Sequence, residues 1–596
     1  MNEYIFEPSG KRIRNDEKNV LEAAREAGIE IRADCGGNGN CGKCRIQIIE
    51  LVGESNEPTE KERERLSQKE LESGYRLACQ LRISGKLKVF IPPESRSEGR
   101  RISESTIEEE VELLPAVRKI HVKIREPSLE DQLPDVERLK REIGDFRISL
   151  QLLRKLPFLL RRSKWDITAV LWRDELLSVE KGDTSERCYG VALDIGSSKL
   201  ICHLVDLKSG RTLSRKFSEN PQVAYGEDIV SRITYASRSE ENLKRLQKIV
   251  VEELNRLIEE SCRDAGIEVE KIYEAVIVGN SVMHHIFFGI PPNFIGASPF
   301  TPAVGDFISY SAKETGLRIN EEGRVTSLPL IAGFVGADAV SNLLSTRIYR
   351  KEELSMVIDI GTNTEILLGN SERILVCSAP SGPAFEGAHI THGMKAVSGA
   401  IEKVRINGDE IEYETIDGER PKGICGSGMI DIIAELYKNG WINRNGKIIR
   451  EDKAVLRDSL KCIIVVPPEE SWNGREIYIS ERDISEFLMA KGAIKAGWMT
   501  LAEKLGISGE EIERIYIAGS FGRHIDFESA KIIGLLPEVE KERIIFAGDS
   551  AIAGAKMVLK SIKEREEIAR ALEKVEYVEL SADRDFYRTF VRAIHL

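Results

Sequence analysis

The sequence predicts a multidomain chain: a small α+β module at the N terminus, a polar connector, a second small α+β unit, and a duplicated α/β unit occupying residues 187–596. Three observations carry this. The chain has 596 residues, more than one hydrophobic core organises, and domain-size statistics favour about three or four folding units. Four of its ten cysteines fall within the first eighty residues. A strand, Asp-x-Gly turn, strand pattern occurs twice beyond residue 187.

Composition narrows the function classes. A hydrophobic fraction of 41% is ordinary for a globular protein, and 31% charged residues exceeds the usual proportion of about a quarter. The net charge of −12 argues against nucleic-acid binding, which needs a basic face, and suits a partner with a basic patch. No apolar run reaches the ~18 residues of a membrane span, and the N terminus opens on charged residues rather than an apolar signal core. The expectation is a cytoplasmic protein without a membrane span. Ten scattered and clustered cysteines do not make a secreted disulfide scaffold.

In the first module, Val20, Leu21, Ala24 and Ala27 recur at helical spacing, with Gly28 placed to end the helix. The chain then runs through Asp34-Cys35-Gly36-Gly37-Asn38-Gly39-Asn40-Cys41-Gly42-Lys43-Cys44 into the strand Arg45–Ile49, and Cys79 follows just before the strand Leu87–Ile91. The spacing is C-x5-C-x2-C-x34-C. Iron–sulfur clusters are held by four thiolates, three of which must here converge from one short loop. Glycines at 36, 37, 39 and 42 let that loop take positive φ and bring backbone N–H groups toward sulfur. A zinc knuckle is the alternative, although its usual signature is two paired cysteine sets. The segment 1–92 resembles the [2Fe–2S] ferredoxins, its five-residue first gap being similar to the adrenodoxin type. The resemblance implies a β-grasp-like fold, Cys35, Cys41, Cys44 and Cys79 as cluster ligands, and a one-electron carrier on the order of −400 mV. The charged run Glu60–Arg65 reads as a solvated helix face or as a docking surface.

Residues 93–115 lack apolar periodicity and read as a flexible linker, about 18 residues of which would reach roughly 25 Å. The first module is thus expected to be tethered rather than packed. Residues 116–186, with the strand-like stretches Ile120–Ile124 and Ile167–Trp172, predict a small α+β domain. Its basic, apolar segment Leu152–Trp165 is expected to pack on that domain, interrupted at Pro157.

In the last unit, Gly190–Leu200 and Met356–Ile366 each deliver a carboxylate to a tight turn followed by hydroxyl or amide residues that can meet phosphate oxygens. Each is followed by a buried strand ending in glycine, at Gly279 and at Gly519, which an internal duplication explains. The halves are about 187–350 and 351–596, and the longer second gap places an insertion near residues 400–480. No Walker loop is present. The layout resembles the ATPase superfamily of actin, sugar kinases and the heat-shock chaperone, with a ribonuclease H-like fold. Carried over by motif, Asp194, Gly196, Ser197 and Ser198 match the first phosphate loop, and Asp359, Gly361, Thr362 and Asn363 the second. Ala518, Gly519 and Ser520 match the adenosine turn, Ser520 standing where many members have a second glycine. The resemblance implies ATP and Mg²⁺ as ligands, with Asp194 and Asp359 holding Mg²⁺ or orienting the attacking water. Asn363, Glu365 and Glu386 are further candidates for that task, or simply strand and loop residues. Gly423–Asp431 reads as a glycine turn opening a helix, serving either phosphate or close packing. Cys188, Cys202, Cys262, Cys377, Cys425 and Cys462 read as buried thiols, and His284, His285, His389 and His392 as core or loop histidines.

Both halves together, with Arg76-Leu77-Ala78-Cys79-Gln80 and Asp359-Ile360-Gly361-Thr362-Asn363, resemble the reductive activators of corrinoid proteins. That resemblance implies an ATPase coupled to one-electron transfer that returns Co(II) corrinoid to Co(I). It also implies two partners: a corrinoid protein, either a methyltransferase component or a corrinoid iron–sulfur protein, and an electron donor to the cluster. A homodimer is compatible with the sequence, which does not fix the oligomeric state. The alternatives are an activator of another low-potential metalloenzyme and a redox-sensing nucleotide-binding module.

Overall fold

The computed structural model describes residues 2–7, 11–15, 19–27, 29, 31, 33, 37, 39, 42–92, 95, 107, 109–226, 228–519, 522 and 524–596. The N-terminal module contains β1 (Asn2–Glu7), β2 (Lys11–Asn15), α1 (Val20–Glu26), β3 (Arg45–Ser55), α2 (Glu60–Arg65), α3 (Gln68–Glu72), β4 (Tyr75–Leu77) and β5 (Ile83–Phe90). Its sheet is ordered β2-β1-β5-β3-β4, with β1 and β5 parallel. Asn19 caps α1 by accepting from the Glu22 amide, and Val20, Leu21 and Ala24 pack with Tyr4, Phe6, Ile46, Leu77 and Val89. Helix α1 ends with Ala27 as its cap; Gly28 lies outside the described residues.

The next unit contains β6 (Val117–Lys123), α4 (Asp135–Ile143), β7 (Arg147–Ile148), α5 (Leu150–Arg162), β8 (Asp166–Trp172) and β9 (Glu175–Lys181), with sheet order β6-β8-β9-β7. Leu152, Leu156 and Leu160, four apart on α5, are buried against it. Helix α5 runs through Pro157 rather than stopping there. The proline withholds an amide from the Leu153 carbonyl, which lies on the solvent side where water can replace it.

The first half of the large unit comprises β10 (Tyr189–Ile195), β11 (Lys199–Asp206), β12 (Thr212–Glu219), α6 (Ile229–Ala236), α7 (Glu240–Ala265), β13 (Ile272–Val278), α8 (Ser281–Phe288), β14 (Ile308–Ser311), α9 (Ala312–Thr315), β15 (Arg324–Ser327) and α10 (Ala337–Thr346). The second half begins with β16 (Ser355–Ile360), β17 (Thr364–Gly369) and β18 (Ile374–Ala379). It continues through β19 (Ala400–Asn407), β20 (Glu410–Thr415), β21 (Gly423–Ile424), α11 (Gly426–Lys438), β22 (Val455–Arg457), β23 (Leu460–Val466) and β24 (Ile477–Ser480) to α12 (Glu481–Leu505). It closes with β25 (Arg514–Ala518), α13 (Phe527–Ile532), β26 (Ile544–Gly548), α14 (Ser550–Lys560), α15 (Ile562–Leu572), β27 (Val575–Tyr577) and α16 (Phe586–Ala593).

The sheets, β12-β11-β10-β13-β15-β14 and β26-β25-β16-β17-β18-β27, share five corresponding strands, the sixth being β14 beside β15 in the first and β27 beside β18 in the second. In each, an antiparallel meander of three leads into two parallel strands: β10 pairs parallel with β13 and β13 with β15, as β16 does with β25 and β25 with β26. The second half is longer because two three-stranded sheets, β20-β19-β21 and β22-β23-β24, sit between β18 and α12. Helices α10 and α14 follow β15 and β26 and cross between the halves, sharing one core in which Val340, Leu343 and Leu344 meet Ile552, Ala555 and Leu559. A Cβ at Gly554 would collide with Ser341 of α10, so glycine is what permits the close crossing.

The polar stretch before residue 116 is not wholly a flexible connector. Residues 93, 94, 96–106 and 108 lie outside the described residues, but Leu114 bridges in parallel to Ser561, Glu109 pairs with Arg347 at 3.1 Å, and Glu112 with Lys563 at 2.6 Å. Acidic residues that read as solvated linker are ion-pair partners for the end of α10 and for α15. Behind the crossing, buried Glu274 of β13 accepts from Arg565 of α15 and Trp172 of β8, both at 2.8 Å, and from Thr326 of β15 at 3.1 Å. One carboxylate therefore ties the middle unit to both halves.

The charged run of α2 is also only partly a solvated face. Glu62 is fully buried and receives Arg76 at 2.9 and 3.0 Å on its two oxygens, together with the Leu77 and Thr59 amides at 2.9 Å. Burial opposes its ionisation, but these donors hold its carboxyl below the ordinary value. The pair braces the strand leading to Cys79. Arg76→Ala, which strands a buried carboxylate, is expected to destabilise the module by about 3–5 kcal/mol. Thermal unfolding of the full chain should show this against an unchanged control at exposed Glu64.

Candidate functional site

Strand alternation brings the two predicted aspartates together. On β10, Val191, Leu193 and Ile195 face α7, whereas Ala192, and with it Asp194, face the side of the crossing helices. On β16, Met356, Ile358 and Ile360 face α12, and Val357 and Asp359 face the crossing from the other side. Asp194, Gly196, Ser197 and Ser198 therefore line one wall of a cleft, and Asp359, Gly361, Thr362 and Asn363 the opposite wall. Gly519 lines it as well; at φ +79°, a Cβ there would stand 2.9 Å from Asp359 Oδ1. Ala518 does not line the cleft: it is a fully buried residue of β25 facing the shared core, so only its backbone can border a ligand. Ser520 lies outside the described residues.

Two acidic residues escaped the sequence reading. Asp338, in the first turn of α10, and Asp549, the N-cap of α14, both line the cleft. A signal was present: Phe334-Val335-Gly336-Ala337-Asp338-Ala339-Val340 and Phe546-Ala547-Gly548-Asp549-Ser550-Ala551-Ile552 are a second repeat, offset by one residue. Among the described residues neither helix has an N-cap side-chain hydrogen bond, but in α10 the Asp338 amide donates to the Gly279 carbonyl at 3.4 Å and the Ala339 amide to Asp338 Oδ1 at 2.8 Å. Asn342 of α10 fixes Asp359, donating to Oδ2 at 2.7 Å while accepting from Ser550 Oγ at 2.6 Å. Glu365 and Glu386 also line the cleft, and Ser198 Oγ donates across it to Glu386 at 3.0 Å. The first turn is braced behind by Asn220, which donates to the Gly196 carbonyl at 2.8 Å, and by Arg232, which donates to the Ser197 carbonyl.

The electrostatics call for a cation. Burial, then Asp338, Asp549 and Asp359 in turn, pushes Asp194 well above the ordinary carboxylate range. Burial and Asp359 push Asp338 up to about 7. Burial likewise raises Asp359, Glu365 and Asp549, with Lys199, 4.0 Å from Asp549, acting against the last shift. The buried Thr362 hydroxyl has no hydrogen-bond partner among the described residues, as expected of a donor to a ligand oxygen. Among the described residues no three His, Cys, Asp or Glu form a closed metal site.

At the other site, Cys44 and Cys79 are buried with their sulfurs 3.4 Å apart. This is far beyond a disulfide bond of about 2.05 Å and near the ~3.8 Å edge of tetrahedral thiolates on a metal at ~2.3 Å. Gly37, Gly39 and Gly42 have φ of +90°, +79° and +68°, and Gln80 Nε2 lies 3.5 Å from the Cys79 sulfur. Cys35 and Cys41 lie outside the described residues. The remaining described cysteines, Cys188, Cys202, Cys262, Cys377, Cys425 and Cys462, are buried. Gly428 of the Gly423–Asp431 turn is required by packing, since a Cβ there would collide with the Ile401 carbonyl. His285 is a core residue, donating from Nδ1 to the Ser281 carbonyl and accepting from the Ala303 amide.

Comparison with known proteins follows this division. Residues 5–84 match the 2Fe-2S iron-sulfur cluster binding domain, and residues 106–186, 189–351 and 353–596 match, in turn, the RACo linker region, the RACo middle region and the C-terminal domain of RACo, described as the ASKHA domain. The corrinoid activation enzyme RamQ of Eubacterium limosum is 31% identical over 595 residues, covering 97% of this chain and 96% of its own. A [Co(II) methylated amine-specific corrinoid protein] reductase of Methanosarcina barkeri is 27% identical over 407 residues, covering 62% of this chain and 70% of its own. The solved structure of a reductive activator for a corrinoid iron–sulfur protein superposes with a TM-score of 0.73 at 34% identity, covering 100% of this chain and 98% of that one.

Fold and site thus define an iron–sulfur protein joined to a nucleotide-binding domain of the actin and sugar-kinase type. The chain belongs to the family of reductive activators of corrinoid proteins. In keeping with the cleft geometry, Gly519→Ala, which places a methyl against Asp359 and in a left-handed backbone region costing roughly 1–2 kcal/mol, should weaken ATP binding about tenfold by calorimetry.

Proposed function

We propose that this protein is an ATP-dependent reductive activator that passes single electrons from its N-terminal [2Fe–2S] cluster to a corrinoid protein, returning Co(II) to Co(I). The observation that carries the reading is the presence in one chain of the Cys44 and Cys79 thiols, 3.4 Å apart, and a cleft walled by two Asp-Gly turns. The full-length similarity to corrinoid activators supports the identity of the acceptor. The partner is a methyltransferase component or a corrinoid iron–sulfur protein, a separate donor reduces the cluster, and the setting is the cytoplasm.

When bound, the cluster supplies one-electron transfer at low potential and MgATP the free energy to make an uphill transfer possible. Cys35, Cys41, Cys44 and Cys79 hold the former. Asp194 and Asp359 would hold Mg²⁺, and the amides of Gly196–Ser198 and Gly361–Asn363, with the Thr362 hydroxyl, would donate to phosphate oxygens. Asp338, which lines the cleft, would accept the proton of the attacking water through Oδ2, its Oδ1 being held by the Ala339 amide. Shifting a two-state equilibrium from 1:99 to 99:1 takes ~5.5 kcal/mol, equivalent to about 240 mV at ~59 mV per tenfold for one electron.

Two tests follow. Asp359→Asn should lower ATP hydrolysis by about two or three orders of magnitude and keep the iron–sulfur absorbance, whereas Cys44→Ser should lose the absorbance and keep ATP binding; the reverse pattern would undo this division of labour. Because the cation competes with protons on the raised carboxyls of Asp194 and Asp359, and the charge of neighbouring Asp338, raised to about 7, adds to its attraction, Mg²⁺ affinity should rise as pH climbs through about 7 and fall below it. Mn²⁺ titrations followed by electron paramagnetic resonance at pH 6, 7 and 8 would read this.

A further inference from the structure

The N-terminal module is not merely tethered. Lys43, the residue before the ligand Cys44, donates from Nζ to the Ile390 carbonyl at 3.3 Å. Glu70 stands 3.8 Å from Arg475. Arg25 of α1 lies over the Tyr225 ring at 4.8 Å. Ile390 and Arg475 belong to the second half of the large unit, whereas Tyr225 belongs to the first, close in sequence to the Asn220 and Arg232 braces of the first phosphate turn. The module therefore touches both halves of the large unit.

The segment it grips is anchored at both ends to the opposite wall. Glu386, at its start, accepts from Ser198 of the first phosphate turn at 3.0 Å. Lys395, at its end, pairs with Glu219 at the end of β12. Between them, Thr391 is held by Asp483 of α12 through its amide at 2.7 Å and its hydroxyl at 2.9 Å. We propose that residues 386–395 form the strap through which the nucleotide state reaches the cluster module, with Lys43 as the positioning residue at the junction. The inference rests on the reading of the cleft as an ATP site. A phosphate seated on the first turn competes with Glu386 for the Ser198 hydroxyl and repels its carboxylate. The strap start then withdraws and, with Thr391 pinned to Asp483, turns about that point, re-aiming the Ile390 carbonyl that precedes it away from Lys43. Electron delivery and nucleotide occupancy are linked through one hydrogen bond to the residue preceding a cluster ligand.

The test uses the full, cluster-loaded chain with and without Mg²⁺ and a non-hydrolysable ATP analogue, reading amide hydrogen exchange in peptides covering residues 42–50 and 386–395. Calorimetry on the same samples confirms that the analogue binds. In the unsubstituted protein the analogue should speed exchange in both peptides about fivefold, the scale of one modest hydrogen bond. Lys43→Ala should show the fast exchange in 42–50 without nucleotide and no further response, with unchanged iron–sulfur absorbance and ATP hydrolysis, and Lys43→Arg should restore the nucleotide response. Bound analogue with no change in either peptide, or a full response retained by Lys43→Ala, would overturn the strap while leaving the ATP reading intact. Failure of the analogue to bind would defeat both.

Discussion

The cleft depends on the pleat of two strands. Because side chains alternate across a sheet, Asp194 and Asp359 must face the same way as Ala192 and Val357, toward the crossing of α10 and α14. That crossing is tight because Gly554 accepts Ser341 against its backbone. The same close approach carries the uncapped helix ends, with Asp338 and Asp549, into the space between the turns. Six carboxylates and two helix N-termini in one cleft balance only when cations and anions arrive together. A lone triphosphate would meet too much negative charge, and a lone metal would leave the amides unused.

Much of this was legible in the sequence. The cysteine spacing and the two Asp-Gly turns are dense local signals, since a cluster loop and a phosphate turn each require particular residues at fixed offsets. The duplication was visible in the strands because buried parallel strands read as uninterrupted apolar runs. Asp338 and Asp549 were missed because their repeat is short and offset by one residue, so that the eye aligning Asp-x-Gly does not find Gly-Ala-Asp against Gly-Asp. Glu62 was hidden within a run of alternating charge, where one buried carboxylate looks like its solvated neighbours until Arg76 is placed. Pro157 suggested an interruption that the structure does not make, since one lost amide on a solvated face is a small defect in a helix anchored by three leucines.

The relation between the modules was not legible at all. A polar connector says that the chain between two units is soluble, and nothing about whether the units meet. The contacts that join them involve the ends of long side chains, Lys43, Arg25 and Arg475, acting on a carbonyl, a ring and a carboxylate. Such contacts leave no periodicity behind. The comparisons with corrinoid activators supply the chemical context, and the packing supplies the route by which one module can sense the other.

Glu274 gives the large unit its mechanics. It lies four residues before the cleft end of β13, about 13 Å along the strand, and holds Arg565 of the second half and Trp172 of the middle unit at once. One oxygen of Glu274 and one nitrogen of Arg565 are left unmatched and buried, so prising the pair apart would expose two stranded charges in an apolar setting. The two halves and the middle unit are thus joined where parting them is costly, on the stretch of β13 away from the cleft.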